Sequence, residues 1–225
     1  MGINKKILDT RCWIETNDFF DGDNRVSWEG ILLVIGGYLV GSIPTGVVLS
    51  KLFGAKDVRQ EGSGNIGATN VYRVSGAKLG ILTLLGDVAK GTIPVALICS
   101  LMDSEMWIAA VALSTFLGHL FPLFLKLRGG KGVATALGIF LVITPLVLPC
   151  VIVVFVLVVM KWKYVSLGSL TASALLPIFI CVTGYPIIYV DLGLVIGCLT
   201  FYRHWENIKR LREGVEKKIS KAKEF

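Results

Sequence analysis

The chain has 225 residues, of which 54% are hydrophobic and only 17% are charged, and its mean hydropathy is +0.71. Soluble domains contain roughly 45–50% apolar residues, and this chain has too few charges to cover a water-exposed surface. The composition therefore argues against a soluble enzyme, a disordered chain and a fibrous repeat. It predicts an integral membrane protein with one domain.

Residues 1–29 lack the apolar stretch of a cleavable signal peptide, so we expect no cleavage. They form a polar N-terminal extension of unknown role. The alternative is that translation starts at Val26, and an intact-mass measurement that finds residues 1–25 in the purified protein would eliminate it. Six apolar stretches follow, at 30–53, 79–101, 106–125, 133–160, 165–183 and 185–201. As a helix the first would be about 36 Å long, enough to cross a hydrocarbon core of about 30 Å. Backbone groups in lipid must pair internally, which makes helices the expected structure.

The stretch 133–160 is long for one crossing and short for two, and Pro145 and Pro149 interrupt it. The segments 51–78, 126–131, 161–163 and 202–225 carry net charges of +3, +3, +2 and +4. Since basic loops stay in the cytoplasm, a break at the prolines is favoured. It gives seven helical segments, with the N-terminus outside, the C-terminus inside and 18 of the 23 Lys and Arg residues inside.

Some of the seven segments are too short to cross fully. A version with five full crossings and one or two re-entrant segments keeps the same orientation. The basic tail after residue 208 is expected to lie on anionic lipid headgroups.

The first basic loop contains the glycine-rich segment Glu61-Gly-Ser-Gly-Asn-Ile-Gly-Ala-Thr-Asn-Val-Tyr-Arg73. Its glycines match G-x-G-x-x-G, but no buried strand precedes them and no βαβ unit surrounds them, so a dinucleotide site is rejected. Glycines allow successive N–H groups to converge on an anion. Further donors are available from Ser63, Asn65, Thr69, Asn70 and Arg73. A flexible polar loop would have the same composition.

The second basic loop reads Lys126-Leu-Arg-Gly-Gly-Lys-Gly132, and a helical stretch follows it at once. A Walker A motif is rejected, because Leu125 replaces its first glycine and Gly132 replaces its Ser or Thr. A glycine turn that opens a helix is still a good phosphate site, since free N–H groups and the positive end of the helix dipole face the ligand. Lys131 adds a full charge. The alternative is that these basic residues only follow the positive-inside rule.

His204 and Asn207, at the end of the last apolar stretch, are three residues apart and would share a helix face. Histidine can act as a base or as an oriented donor near neutral pH. A structural role at the membrane interface is the alternative, and His119 has a similar or weaker claim. Neither histidine is followed by Asp five positions later, so the sequence lacks the H-x-x-x-x-D pair that one class of acyltransferases uses.

Two further features lie inside apolar stretches. Asp87 and Lys90 are three residues apart, and charges at that depth normally pair, so we expect an intrahelical ion pair that supports the site from behind. Ser169 would be unremarkable alone, since serine is common at contacts between membrane helices. The five cysteines show no CxxC pair and no metal-ligand spacing.

Taken together, these residues resemble the bacterial acylphosphate-dependent glycerol-3-phosphate acyltransferases of the PlsY type. The likeness runs from about Gly41-Ser-Ile-Pro-Thr-Gly46 to Arg212. Three blocks carry it in order: Gly62-Ser-Gly-Asn-Ile-Gly-Ala-Thr-Asn-Val-Tyr-Arg73, Gly118-His-Leu-Phe-Pro122 with Arg128-Gly-Gly-Lys-Gly-Val-Ala-Thr135, and His204-Trp-Glu-Asn-Ile-Lys-Arg-Leu211. The resemblance implies a single helical domain of seven membrane helices with a cytoplasmic site, here over residues 30–212, with residues 213–225 as a basic tail. Residues 1–29 depart from the family, which usually begins just before the first span.

The family's functional positions fall on Ser63, Arg73, the Gly129–Gly132 loop with Lys131, His204 and Asn207. Ser169 is matched only by its distance along the sequence from the flanking blocks. The predicted catalytic residues are Ser63, Arg73, His204 and Asn207. The predicted substrate- or phosphate-binding residues are Gly62, Gly64, Asn65, Thr69, Asn70, Gly129, Gly130, Lys131, Gly132 and Ser169. Which loop holds which phosphate stays open, as does whether His204 or the substrate phosphate accepts the proton.

The implied reaction transfers a fatty acyl group from acyl phosphate to glycerol 3-phosphate in the bacterial inner membrane. Its products are phosphate and 1-acyl-glycerol 3-phosphate (lysophosphatidic acid), and it is the first acylation of phospholipid synthesis. No metal or other cofactor is expected, because acyl phosphate already has a good leaving group. Membrane lipids are expected partners and nucleic acid is not, because the basic residues lie in short loops beside spans. A monomer is expected.

The alternative function is a transporter or channel for an anionic phosphorylated metabolite, with the same basic loops lining a vestibule. Such a protein would show flux in proteoliposomes without acyl transfer. A lipid-headgroup phosphotransferase would need paired aspartates to hold a metal, and the sequence has no D-x-x-x-D.

Overall fold

The computed structural model describes residues 27–219, which form α-helices and short turns and no β-strand. The helices are α1 (Trp28–Gly41), α2 (Thr45–Leu52), α3 (Ala68–Leu101), α4 (Glu105–Leu120), α5 (Val133–Ile143), α6 (Leu148–Trp162), α7 (Val165–Val182), α8 (Ile187–Arg203) and α9 (Trp205–Arg212). A single 3-10 turn covers Leu123–Leu125 after α4. The prediction of an all-α chain is confirmed for the described residues.

The first two apolar stretches differ from the prediction in their bounds. The stretch 30–53 is two helices that meet at an angle of 47°, because Pro44 has no N–H to continue α1. The next helix, α3, begins eleven residues before the expected start at 79 and contains a break at Gly76, where φ is +84°. This positive φ favours glycine, so the glycine lets the polar start of α3 turn away from its apolar part.

The stretch 133–160 is divided near the prolines, as predicted. Helix α5 ends at Ile143 and α6 begins at Leu148, so Pro145 lies in the break. Pro149 lies in the first turn of α6, where its missing N–H has no intrahelical partner to lose. The two helices have 11 and 15 residues, or about 16 and 22 Å, and each is shorter than the bilayer's apolar core of about 30 Å.

Three helical segments are long and apolar enough to cross a membrane by themselves: α3, α4 with its following turn, and α7. The number rises to five if the bent pairs α1–α2 and α8–α9 each form one span. The described residues therefore form an all-α chain with the composition of an integral membrane protein.

Glycines allow the closest helix contacts of the bundle. A Cβ at Gly41 of α1 would overlap the backbone carbonyl of Thr115 in α4. A Cβ at Gly118 of α4 would overlap the carbonyl of Tyr38 in α1. Small residues are typical where membrane helices pack backbone to backbone. The α1–α4 pair therefore fixes the position of the loop that follows α4.

The four basic segments meet at one end of this bundle. In the C-terminal tail, the Lys217 ammonium donates to the Gly62 carbonyl (Nζ···O 3.1 Å). The Ile219 N–H donates to the Lys163 carbonyl (2.7 Å). Lys217 and Ile219 thus contact the loops, and the expectation that the tail after residue 208 lies on lipid headgroups stays a prediction. Residues 1–26 and 220–225, including Val26 and the end of the tail, lie outside the described part of the chain.

Candidate active site

A cavity of about 820 Å³ opens at the end where the basic segments meet. Its polar end is formed by both glycine-rich loops and the C-terminal tail. Its other end is an apolar groove between α3, α5, α6 and α7, lined by Phe140, Leu148, Val151, Ile152, Phe155 and Leu176. Ile81 and Leu84 of α3 and Ile152 and Val156 of α6 line this groove and are exposed on the helix surface. The groove therefore opens sideways, on the surface that faces lipid.

A second cavity, of about 650 Å³, adjoins the first. It is more polar and is lined in part by Tyr202, Arg203, Trp205 and Glu206 around the α8–α9 bend. Five residues line both cavities, and they are Ser63, Asn65, Lys131, Asn207 and Arg210. An apolar groove and a polar mouth thus meet at one group of polar side chains, which we call the junction.

Three helix N-termini border the larger cavity. The first-turn residues of α3, α5 and α7 that line it are Ala68, Thr69, Val133, Ala134, Val165 and Ser166. The first N–H groups of a helix have no intrahelical acceptor, and the helix dipole adds a partial positive charge there. Three such ends around one cavity favour the binding of anions.

The first glycine-rich loop is built around the side chain of Asn70, which is buried. Its amide nitrogen donates to the carbonyls of Val58, Glu61 and Asn65 (2.9, 3.1 and 2.9 Å), and its oxygen accepts the Ser63 N–H (2.7 Å). Asn70 was predicted as a phosphate donor, but its donors are used to fold the loop.

The backbone of this loop is also largely paired. The Gly64 N–H donates to Glu61 and the Gly67 N–H to Asn65. The positive φ angles of Gly62 and Gly64 (+68° and +70°) form the turns, and a Cβ at Gly62 would overlap the Asn70 oxygen. These paired N–H groups therefore do not converge on an anion as expected. The Ser63 hydroxyl has no protein partner among residues 27–219, and it lies at the junction.

The second glycine loop also differs from its prediction. The N–H groups of Gly129 and Gly130 donate to the carbonyls of Leu120 and His119 (both 3.1 Å), and neither glycine lines either cavity. These two N–H groups were expected to face a phosphate, but they hold the loop against the end of α4. The groups of this loop that line the cavity are Lys131, Gly132 and the start of α5.

Lys131 has a central position at the junction. Its ammonium donates to the side-chain oxygen of Asn207 (Nζ···Oδ1 2.6 Å), so the second loop and α9 are directly joined. The pKa of Lys131 is lowered to about 8, chiefly by burial and also by the nearby arginines, against the opposing effect of the Glu216 carboxylate. The cation is thus held where it is poorly hydrated, which favours contact with an anion.

Glu216, in the tail, is a site residue that the sequence reasoning missed. Its carboxylate accepts hydrogen bonds from Asn207 (2.6 Å), Ser166 (2.7 Å) and the Nε of Arg210 (2.7 Å). Burial alone would raise the pKa of Glu216, but these hydrogen bonds and the charge of Arg210 hold it below the usual value. Because Asn207 donates to Glu216, its oxygen is left to face Lys131. The carboxylate therefore orients the amide at the junction.

His204 lies at the 61° bend between α8 and α9 and lines the larger cavity with Asn207. The sequence predicted that His204 and Asn207 share a face of one helix. In the structure His204 is instead the residue that caps the start of α9. Its Nδ1 is 2.8 Å from the carbonyl of Thr200, and since a carbonyl can only accept, Nδ1 carries the proton in the neutral ring. Nε2 is then the basic nitrogen, and it has no protein partner within residues 27–219.

Arg73, Ser169 and Thr69 line the larger cavity, as predicted for site residues. Arg73 is partly buried, and its guanidinium donates to the Lys217 carbonyl (3.3 Å). The Ser169 hydroxyl donates to Val165 one turn earlier (3.0 Å), which leaves its oxygen able to accept. The structure therefore brings these predicted residues to the same cavity.

The predicted Asp87–Lys90 ion pair is present (Oδ1···Nζ 3.0 Å) and buried. Lys90 also donates to the Ile43 carbonyl at the α1–α2 bend (2.9 Å). His119, also buried, lies 3.1 Å from Thr135 through Nδ1 and packs beneath Gly130. Asp87 and His119 also line the larger cavity, so the ion pair borders the site rather than lying wholly behind it. Within residues 27–219, no group of three or more His, Cys, Asp or Glu side chains is arranged to hold a metal ion.

Comparison with known proteins identifies the family. The family model described as glycerol-3-phosphate acyltransferase matches residues 31–214. Curated proteins named glycerol-3-phosphate acyltransferase are 49% identical over 186 residues in Geotalea daltonii and 51% identical over 190 residues in Syntrophotalea carbinolica. These matches cover 83% and 84% of this chain and 95% and 96% of the relatives. The chain belongs to the glycerol-3-phosphate acyltransferase family.

The fold of this acyltransferase also matches solved members of the family. Two crystal structures of PlsY, an integral membrane glycerol 3-phosphate acyltransferase, represent its glycerol 3-phosphate form and its lysophosphatidic acid form. Their TM-scores are 0.82 and 0.80 at 41% and 39% identity, over 85% of this chain and 96% of those chains. The resemblance stated from the sequence is therefore confirmed, and the chain is an integral membrane acyltransferase.

The tail carried a signal that could have located Glu216. It is strongly basic between residues 209 and 218, so its acidic residues stand out as partners for nearby cations. Glu216 and Asn207 are nine residues apart along the chain, yet the turn after α9 brings them to 2.6 Å. Sequence spacing on a single helix could not reveal a contact that depends on that turn.

Proposed function

We propose that this acyltransferase uses acyl phosphate as the donor and forms 1-acyl-glycerol 3-phosphate and inorganic phosphate, as the first acylation of phospholipid synthesis. The observation that carries the proposal is the junction, where an apolar groove open to lipid meets a polar mouth at Lys131 and Asn207. An acyl phosphate is an anion with a long apolar chain, whereas glycerol 3-phosphate is a small water-soluble anion. Each of them matches one of the two cavities.

We assign one phosphate to Lys131, Gly132 and the start of α5, and the other to Ser63, Arg73 and the start of α3. This assignment rests on the groups that remain available in the cavity, so Asn70, Gly129 and Gly130 build the loops instead. Gly62, Gly64 and Asn65 shape the first loop, and Asn207 and His204 position glycerol 3-phosphate. Ser169 lies where the groove meets the polar end and can accept a hydrogen bond.

In the proposed step, a hydroxyl of glycerol 3-phosphate attacks the acyl carbonyl carbon and forms the new ester bond. The bond from that carbon to the phosphate oxygen breaks, and inorganic phosphate leaves with the electron pair. The proton of the hydroxyl passes to Nε2 of His204 or to the departing phosphate. Arrangement of two reactants can supply about 7–11 kcal/mol of the barrier. Cations and N–H groups directed at the developing negative charge supply the electrostatic part.

His204→Gln distinguishes the two proton acceptors. The glutamine amide preserves much of the size of the ring but cannot accept a proton, so a general-base role predicts a fall in kcat of about 100-fold or more. A near-normal kcat with only a raised KM for glycerol 3-phosphate would leave His204 as an orienting group. Steady-state rates with both substrates varied give the two constants. His119→Gln is no suitable control because His119 packs beneath the second loop.

One assay tests the proposed donor directly. The purified protein is given labelled glycerol 3-phosphate with acyl phosphate, acyl-CoA or acyl carrier protein in turn, and lysophosphatidic acid is measured. Product with acyl phosphate alone is the expected result. Product with another donor only would refute the donor assignment. Flux of glycerol 3-phosphate into proteoliposomes with no acyl product from any donor would favour a transporter.

We further propose that the chain crosses the bacterial inner membrane seven times, with its N-terminus outside and its site facing the cytoplasm. The support is the excess of Lys and Arg in the loops that meet at the site. We also propose that a monomer is the active unit, since one copy of the chain is sufficient to form both cavities and the junction. Residues 30–212 then form the acyltransferase domain, preceded by the extension 1–29 and followed by a tail that contributes Glu216.

Cysteine labelling tests this orientation. In a variant without native cysteines, a cysteine at Lys56 or Lys126 should react with a membrane-impermeant thiol reagent only from the cytoplasmic side. A cysteine at Asp103, in the turn between α3 and α4, should react only from the opposite side. These positions do not line either cavity, so activity can be checked in each variant. Labelling of positions 56 and 126 from opposite sides would contradict the proposed topology.

A further inference from the structure

Arg203, the last residue of α8, makes a contact that none of the predicted roles explains. Its Nε donates to the Gly130 carbonyl (3.0 Å), and its Nη2 donates to the Gly129 carbonyl (2.6 Å). The guanidinium carbon also lies 5.9 Å from the centre of the Phe121 ring. One side chain from α8 therefore holds two successive carbonyls of the second glycine loop.

The same two glycines are held from the other side. Their N–H groups donate to the carbonyls of His119 and Leu120 at the end of α4, so all four backbone polar groups are paired with protein. A Cβ at Gly130 would overlap the His119 ring, which leaves the loop no room to move toward α4. The loop is thus fixed between α4 and Arg203.

The residues that follow in each segment meet at the junction. Lys131 follows Gly130, and His204 and Asn207 follow Arg203 closely. The Lys131 ammonium lies 2.6 Å from the Asn207 oxygen. Arg203 therefore joins the two segments directly beside Lys131 and His204.

We propose that Arg203 is a positioning residue for acyl transfer, because its contacts with Gly129 and Gly130 set the place of Lys131 relative to His204 and Asn207. This inference rests on the proposed function. Arginine suits the role since its planar fork presents two donors in fixed directions, whereas lysine offers a single compact charge. Arg203 also lines the polar mouth, but its Nε and Nη2 are both used on the loop carbonyls, so we expect it to act on acyl transfer through Lys131.

The test compares Arg203→Lys with Arg212→Lys, a matched change at an exposed arginine of α9. Misplacement by about 1 Å can cost about 100-fold in rate, so Arg203→Lys should lower kcat by about that factor. The KM for glycerol 3-phosphate should stay within about 3-fold, because lysine keeps the positive charge that lines the polar mouth. Arg212→Lys should match the wild type. A raised KM with unchanged kcat would overturn the proposal and make Arg203 a direct ligand.

A double-mutant cycle separates positioning from general destabilisation. If Arg203 acts through Lys131, its replacement in a Lys131→Met background should lower kcat by no more than about 3-fold, since residues that act as a unit are not additive. Additive losses would overturn the proposal, as would a variant with wild-type kcat and a lowered unfolding temperature. If Arg203→Lys does not fold, Arg203→Gln, whose amide retains two N–H donors, takes its place in the same cycle.

A measurement that needs no catalytic turnover tests the role of Arg203 independently of the proposed function. The pH dependence of Lys131 modification by an acylating amine reagent, read by mass spectrometry, should have its midpoint at about 8 in the wild type. The Lys131 ammonium interacts electrostatically or by a hydrogen bond with groups from several elements of the fold. They are Arg73, Arg203, His204, Asn207, Arg210 and Glu216. Arg203→Lys retains the charge, so a rise in the midpoint would report that Lys131 has left its buried position. An unchanged midpoint would overturn the inference even if no donor supports turnover.

Discussion

Replacement of Lys131 by methionine is expected to lower kcat/KM for acyl transfer by about 100- to 1000-fold, the usual cost of removing one preorganised donor to a developing negative charge. Methionine preserves the length and packing of the side chain but has no charge. Lys131 lines both cavities and donates to Asn207, so its loss removes a cation from the junction at which we propose that the two anions meet. Steady-state assays with both substrates varied measure the loss.

The matched control is Lys126→Met, in the exposed part of the same loop, where the side chain lines neither cavity. It should retain wild-type activity. A loss of less than about 3-fold in Lys131→Met would remove Lys131 from the transition-state contacts, since a donor with that role contributes far more.

The same residue predicts a pH dependence. The pKa of Lys131 is lowered to about 8, so its charge is present below that pH and is lost as the pH rises through it. Because kcat/KM reports the free enzyme, it should decline on the alkaline side with a midpoint near 8. Lys131→Arg should move that decline to higher pH, since arginine stays protonated throughout the range. An identical alkaline limb in both proteins would assign it to another group.

The presence of the helices was largely predictable, because apolar stretches in a membrane chain leave the backbone few alternatives, but the start of α3 and the division of 30–53 were not. The proline break between α5 and α6 also followed from sequence, since proline removes a donor wherever it occurs. The bend at Pro44 follows the same physics but was missed, because the apolar stretch continues through it without a change in composition. Hydropathy therefore located the helices better than their directions.

The predicted site residues were mostly brought together, but the use of their polar groups could not be predicted. Glycine content indicates a tight turn, and it does not say which N–H groups are already paired. In the first loop the acceptors are within the same segment, at Glu61, Asn65 and Asn70, whereas in the second the partners are the end of α4 and Arg203. The contacts of the second loop depend on tertiary packing, and no local pattern encodes them.

Glu216→Gln is expected to destabilise the protein by about 1.5–3 kcal/mol, the usual worth of hydrogen bonds to a charged group. The glutamine oxygen can still accept from Asn207 and Ser166, but its NH2 would then face the Arg210 donor, and the ion pair is lost. If the amide turns to accept from Arg210 instead, Asn207 loses its acceptor. Either arrangement disturbs the Asn207 oxygen that faces Lys131, so kcat/KM should also fall.

Thermal unfolding and acyl transfer are measured together, with Glu213→Gln, an exposed change in the same tail, as the control. The pKa of Glu216 lies below its ordinary value of 4.5, so its contribution to stability is present above that pH and is lost as the pH falls further. The stability difference between wild type and Glu216→Gln should therefore shrink on acidification below about pH 4.5. If Glu216→Gln matched Glu213→Gln in both stability and activity, the tail would not be part of the site. A tail that belongs to the site would explain why a basic segment beside a membrane contains a largely buried carboxylate, since that carboxylate accepts from Asn207 and Arg210 and leaves the Asn207 oxygen to face Lys131.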